Sequence, residues 1–398
     1  MPMTRGSAPG TSSSGRGLRT LVNPVVLLIA KLLPTSGGET GARSGSGHLG
    51  RQRAIRLSAL LAPRNRLRVG AAAGIVVASG LLIGALFNRN VEQLPLNNAI
   101  WLDRTWVYGD LDDAALGEFV NRLLEHRIGK AYIYVSSLGI DERWSGGAQG
   151  ATGFMASRGT VARFVETFKD KSDQLELFAW IEIWTHLDNA DGYRLDDTNL
   201  HQNIADFSRL LVDQLGFDGV LLDVKPMFSG NDDFIRLIHS IRAAIGAEKT
   251  IAVAVTADLT PPDSRLQDIP SIAPSTMWSP NFKQRVLVSA DEVVLLMYQS
   301  YRQELLDYVN WVAYHIETYV NLLETNTEIL VSIPNYGDAS NAHNPAIETM
   351  ANALDGVSEG LRRLDEETRP LITGIAIYSD AQLNQADWNV FREQWLQR

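Results

Sequence analysis

The chain contains no cysteine. That absence removes disulfides, thiolate metal sites and cysteine nucleophiles together. Export remains open, because a chain of 398 residues can bury a core large enough to fold without disulfide staples. Phe, Tyr and Trp are missing from the first 86 residues, and all nine Trp lie beyond position 100. Acids are nearly missing from the same end: residues 1–68 hold 11 Lys and Arg but one acid, Glu39. That segment carries +10, and residues 69–398 carry −20, which gives the formal −10 of the whole chain. An acidic chain of this kind is not a nucleic-acid binder. The seven His form no HxH or HExxH pair, and no GxSxG occurs. Metal-dependent and elbow-serine hydrolysis therefore have no signature, and neither metal nor cofactor is expected.

What the two ends contain differs accordingly. Residues 1–50 include 21 Gly, Ser or Pro, so 1–68 reads as a basic, disordered cytoplasmic segment. Residues 69–87, VGAAAGIVVASGLLIGALF, run 19 positions without a charge. As a helix they span roughly 28 Å, about the hydrocarbon thickness of a bilayer. The competing reading is a buried core helix. Arg64, Arg66 and Arg68 precede the run and acids dominate after it, which places the N-terminus in the cytoplasm and the rest outside. The expectation is a single-pass membrane protein, with the lipid bilayer as partner of residues 69–87. Residues 88–97 form a short polar linker.

From residue 98 the pattern alternates. Eight apolar, β-rich runs begin at Ala99, Ala131, Leu177, Gly219, Ile251, Val293, Ile329 and Ile372. Helical periodicity fills most intervals, as over 114–126, 203–215, 232–245 and 308–323. Eight such units in about 300 residues predict an α/β fold, a (β/α)8 TIM barrel over 98–398. A doubly wound sheet is the alternative, but no glycine-rich phosphate loop follows the first run.

Barrel chemistry sits at the C-terminal ends of the strands, and side chains there alternate between the interior and the helices. In the fourth run Leu221, Asp223 and Lys225 share one face, and Val220, Leu222 and Val224 the other. The apolar set should face the helices, so Asp223 and Lys225 point into the barrel mouth. They are either site residues or a salt bridge that closes the barrel top. In the third run Phe178, Trp180, Glu182 and Trp184 form the inward set. Two Trp around a carboxylate suit a sugar, whose C–H faces stack on rings while the carboxylate binds hydroxyls or transfers protons. Aromatic core filling with a paired Glu182 is the other reading. Asp103 ends the first run and Asp258 follows the fifth, and both are further candidates of the same kind. His186, just after Trp184, either lines the mouth or is an ordinary hydrogen-bonding loop residue.

These strand ends resemble the chitinase-type family-18 glycoside hydrolases. That family marks its fourth strand with DGxDxDxE. Here FDGVLLDVKP keeps Asp218, Gly219 and Asp223, puts Leu221 at the middle Asp, and puts Lys225 at the acid. LLMYQ sets Tyr298 at the Tyr of the family's MxYD, with Gln299 for the Asp. SIPNYG, residues 332–337, is similar to its seventh-strand motif, and Tyr378 stands where a Trp is usual. The resemblance implies a TIM barrel directed at a carbohydrate. It also implies that the general acid is missing, since a Lys beside Asp223 donates protons poorly at neutral pH. Three readings follow. The barrel binds a glycan or cell-wall polysaccharide without the usual acid catalysis; it is an active glycosidase using Glu182; or it is a structural envelope protein binding protein partners. Catalytic candidates are thus Asp223, Lys225 and Glu182. Substrate-binding candidates are Trp180, Trp184, Tyr298, Gln299, Asp103 and Tyr378.

Overall fold

A computed structural model describes residues 97–110, 112–139, 141–185, 194–256, 258 and 277–397. The basic segment 1–68, the membrane-spanning reading of 69–87, linker residues 88–96 and His186 lie outside the described residues. Among the described residues no helix is long and apolar enough to cross a membrane.

All eight anticipated runs are strands. They are β1 (Asn98–Leu102), β2 (Ile128–Leu138), β3 (Glu176–Trp184), β4 (Gly219–Lys225), β5 (Thr250–Thr256), β6 (Glu292–Leu296), β7 (Glu328–Pro334) and β8 (Ile372–Tyr378). Each pairs in parallel with its sequence neighbour, and β8 pairs with β1 to close the barrel. A short antiparallel pair, Ser145–Gly146 with Thr152–Gly153, decorates the connection after β2. The helices are α1 (Arg104–Tyr108), α2 (Asp113–Glu125), α3 (Phe154–Lys171), α4 (Thr198–Arg209), α5 (Asp232–Ile245), α6 (Pro280–Ser289), α7 (Leu305–Leu322), α8 (Met350–Arg363) and α9 (Gln385–Phe391). Their starts are written locally. Asp112, Asp197, Asn231, Ser279, Thr349 and Asn384 each accept a backbone N–H of the first turn. This satisfies donors that an uncapped helix leaves orphaned.

The alternation of side chains sorts the core into two. Val220, Leu222 and Val224, with Ala179, Ile181 and Ile183, join the large core between barrel and helices. The inner core holds Ala99, Trp101, Tyr132, Tyr134, Phe178, Trp180, Leu221, Ala252, Ala254, Val294, Leu330 and Ala376. Its volume is distributed unevenly. β1–β3 supply five aromatic rings, whereas β5 and β8 supply alanines, so large side chains cross the lumen and small ones receive them. Trp101 packs edge-on against Trp180 at 4.9 Å and against Tyr132 at 5.1 Å. Gly219, at the start of β4, has no alternative residue. A Cβ there would lie 2.3 Å from the Thr250 carbonyl and 2.9 Å from the Phe178 ring.

Candidate functional site

β3 and β4 run in register, with Glu182 opposite Asp223 and Trp184 opposite Lys225. The register brings four inward side chains of two adjacent strands to the C-terminal mouth. The Lys225 ammonium lies 2.7 Å from a Glu182 carboxylate oxygen and 2.9 Å from Asp223 Oδ2. Trp180 Nε1 donates to the same Asp223 oxygen at 3.3 Å, and Trp184 Nε1 donates to the second Glu182 oxygen at 2.9 Å. The ammonium also sits 5.1 Å from the Trp184 ring centre, in cation–π range. Burial disfavours the lysine's charge, but Asp223 and Glu182 outweigh it and hold Lys225 above the ordinary lysine range. Burial pushes Asp223 above the ordinary aspartate range, against the pull of Lys225. The anticipated pair is therefore a salt bridge, extended by Glu182 to three charges.

The salt bridge does not seal the barrel. Trp101, Trp180, Asp223, Lys225, Tyr298 and Tyr378 line a cavity of about 240 Å³, together with Thr256, Leu296, Gln299 and Tyr301. Tyr298 and Tyr378 stack at 4.7 Å with planes 18° apart. Burial holds both phenols above the ordinary tyrosine range, so they are neutral donors and acceptors at physiological pH. A carboxylate, an ammonium, phenols and indole faces around one small space can bind a hydroxylated ring. Among the described lining residues the one carboxyl is Asp223, bound by Lys225 and Trp180.

Gln299 reaches the wall through a specific backbone device. Gln299 and Tyr301 adopt positive φ, 57° and 58°, which costs side-chain-bearing residues energy unless neighbours enforce it. Glu348, fully buried before α8, enforces it. Its carboxylate accepts from Gln299 N at 2.7 Å and Ser300 Oγ at 2.9 Å, and pairs with His343 Nδ1 at 3.0 Å. Among the described residues no cluster of His, Asp and Glu is arranged to hold a metal ion.

The sequence candidates thus divide. Trp180, Asp223, Lys225, Tyr298, Gln299 and Tyr378 line the cavity. Glu182 adjoins it through Lys225, and Trp184 stands at the rim, 46% exposed. Asp103 is elsewhere occupied: its carboxylate caps α1, accepting Thr105 N at 2.7 Å. Asp258 is buried in an ion pair with Lys283 and does not open onto the cavity. Asp218, the first residue of the family motif, is at the opposite end of β4. It accepts from Leu177 N and pairs with Lys169. Trp101, Thr256, Tyr301 and Glu348 were not foreseen. Trp101 shares the inward face of β1 with Asp103, a signal available in the alternation. Glu348 lies 49 positions along the chain from Gln299.

No protein-family profile and no curated protein matches the chain. Solved structures do. The spore cortex-lytic enzyme SleL of Bacillus cereus is 8% identical over 75% of this chain and 74% of its own, with a TM-score of 0.50. A chitinase of Chromobacterium violaceum is 10% identical over 76% of this chain and 99% of its own, with a TM-score of 0.50. At such identity the likeness carries the fold. The closed eight-stranded parallel barrel is the fold that the strand-end motifs anticipated.

Proposed function

We propose that this chain is a carbohydrate-binding, glycoside-hydrolase-like barrel that engages its glycan without the acid catalysis of the family it resembles. One observation carries the reading. At the end of β4, where a protonated carboxyl would have to meet a leaving oxygen, stands the Lys225 ammonium, bound by Glu182 and Asp223. Held above the usual lysine range, it keeps its proton at neutral pH. Loss of a general acid typically removes ~10²–10⁴-fold in rate. Glu182 is a poor replacement. One of its oxygens is taken by Lys225 and the other accepts from Trp184. The aromatic, partly polar cavity supports binding over a purely structural role in an envelope, for which packed rings would suffice.

The same reading includes a bilayer anchor at residues 69–87 with the barrel on the extracytoplasmic side. Its supports are the 19 uncharged residues and the basic segment before them. The expected result of fractionation is recovery in the membrane pellet, with the barrel open to protease from outside and deletion of 69–87 releasing it.

The decisive experiment runs a glycan array beside a chromogenic chito-oligosaccharide assay. Retention of a glycan with no turnover is expected. Hydrolysis that vanishes in Glu182→Gln replaces the binder with an enzyme. An array that stays blank, with protein partners captured instead, favours the envelope role.

A further inference from the structure

Two polar atoms of the cavity wall are unused. Trp101 is 1% exposed and lines the cavity, yet its indole N–H has no acceptor among the described residues. Asp223 is 7% exposed, and both of its recorded bonds, from Lys225 and Trp180, fall on Oδ2. Its Oδ1 takes none among the described residues. A buried donor without a partner costs free energy until something enters to meet it, and the unused Asp223 oxygen is available to accept. The entering molecule must offer an acceptor to Trp101 and a donor to Asp223.

The charge of the site selects the donor. One ammonium faces two carboxylates, Asp223 and Glu182. The charged groups that act on Tyr378 in the wall are Lys225 on one side and Asp223, Glu182 and Asp103 on the other. The surplus is negative, and among the described residues no further cation lines the cavity. The stacked Tyr298–Tyr378 pair and the Trp180 indole add ring surfaces of the kind that attract a cation.

Resting on the carbohydrate reading, we infer that the ligand is an amino sugar bearing a free ammonium rather than an N-acetylated or acidic one. Its ring hydroxyls supply the acceptor for Trp101 Nε1, its ammonium meets Asp223 Oδ1, and its C–H face packs on the aromatic wall. An acetamido group has no charge to meet the surplus, and a uronic acid is repelled by it.

The test is titration calorimetry on the full-length chain in detergent at physiological salt. The probes are a glucosamine trimer with free amines, its N-acetylated counterpart, a galacturonic acid trimer and spermidine. The free-amine trimer should bind on the order of tenfold more tightly than the acetylated one, the uronide and spermidine far more weakly. Glu182→Gln, which neutralises the surplus, should bring the two glucosamine trimers close to equal. Lys225→Met, which enlarges it, should widen their gap. Trp101→Phe keeps a ring and removes the donor, so all sugars should weaken together. Equal or tighter binding of the acetylated trimer overturns the inference and leaves the carbohydrate reading standing. Spermidine as tight as the amine trimer also overturns it, as bare charge attraction. If no trimer binds, the carbohydrate reading falls as well.

Discussion

The two ends of the barrel carry nearly the same device. At the N-terminal end Lys130 reaches Glu292 and Glu328, each at 2.5 Å, and Tyr132 Oη donates to the other Glu292 oxygen. At the mouth Lys225 reaches Glu182 and Asp223, and Trp180 donates to the latter. Each is one lysine between two acids with an aromatic donor. The difference lies in what remains. Both Glu292 oxygens are occupied and its side chain is 1% exposed, so Glu292 has nothing left to meet a ligand. The mouth set borders a cavity, and one Asp223 oxygen is unused. Residue types alone do not separate a plug from a site. Saturation of hydrogen bonds does.

Stability should break the resemblance most sharply. Lys130→Met strands a carboxylate that burial already disfavours, and burying an unpaired charge costs about 3–5 kcal/mol. Lys225→Met removes an ammonium whose side chain is 37% exposed, against 13% for Lys130, so a smaller loss is expected. Urea unfolding of the two variants measures both. A larger loss from the mouth substitution would make it the structural end.

Asp380 sharpens the contrast through pH. It follows β8, and no lysine or arginine pairs with it among the described residues. Its support is the Trp106 indole at 2.5 Å. Burial raises its pKa from 3.8 to about 6. The folded state therefore holds this proton more tightly than the unfolded chain. Its contribution is full below pH 4 and lost as pH rises towards 6. At 1.36 kcal/mol per unit the loss approaches about 3 kcal/mol. Asp380→Asn should match the wild type near pH 4 and exceed its stability by roughly that amount at pH 7. Curves that stay parallel across this window would refute the assignment.

The same contrast explains what the sequence disclosed. All eight strands and their inward faces were legible, because a period of two needs only local pattern. So were six wall residues at strand ends. Asp103 looked like Asp223, a carboxylate closing an apolar run, but Thr105 two residues on converts it into a helix cap. Asp258 is claimed by Lys283, 25 residues downstream. Glu348 governs Gln299 from another loop entirely. Each exception depends on a partner that only folding brings near. The two lysine devices show the same limit. Local pattern placed Lys225 inward, yet nothing local told whether its acids were saturated.

The smallest effect on folding, and the cleanest on function, should come from Trp184. Its ring is 46% exposed at the rim and holds Glu182 by one hydrogen bond. The N-terminal device has no such exposed ring; its aromatic partner Tyr132 is fully buried. Trp184→Ala should change unfolding stability by less than about 0.5 kcal/mol, as exposed positions generally do. A ring that stacks on a sugar face contributes about 1 kcal/mol, so glycan affinity should fall by roughly fivefold. Unchanged affinity would confine recognition to the cavity behind the salt bridge. A large loss of stability would mean that Trp184 shields Glu182 and Lys225 from water, so that the mouth, like the opposite end, is held by burial.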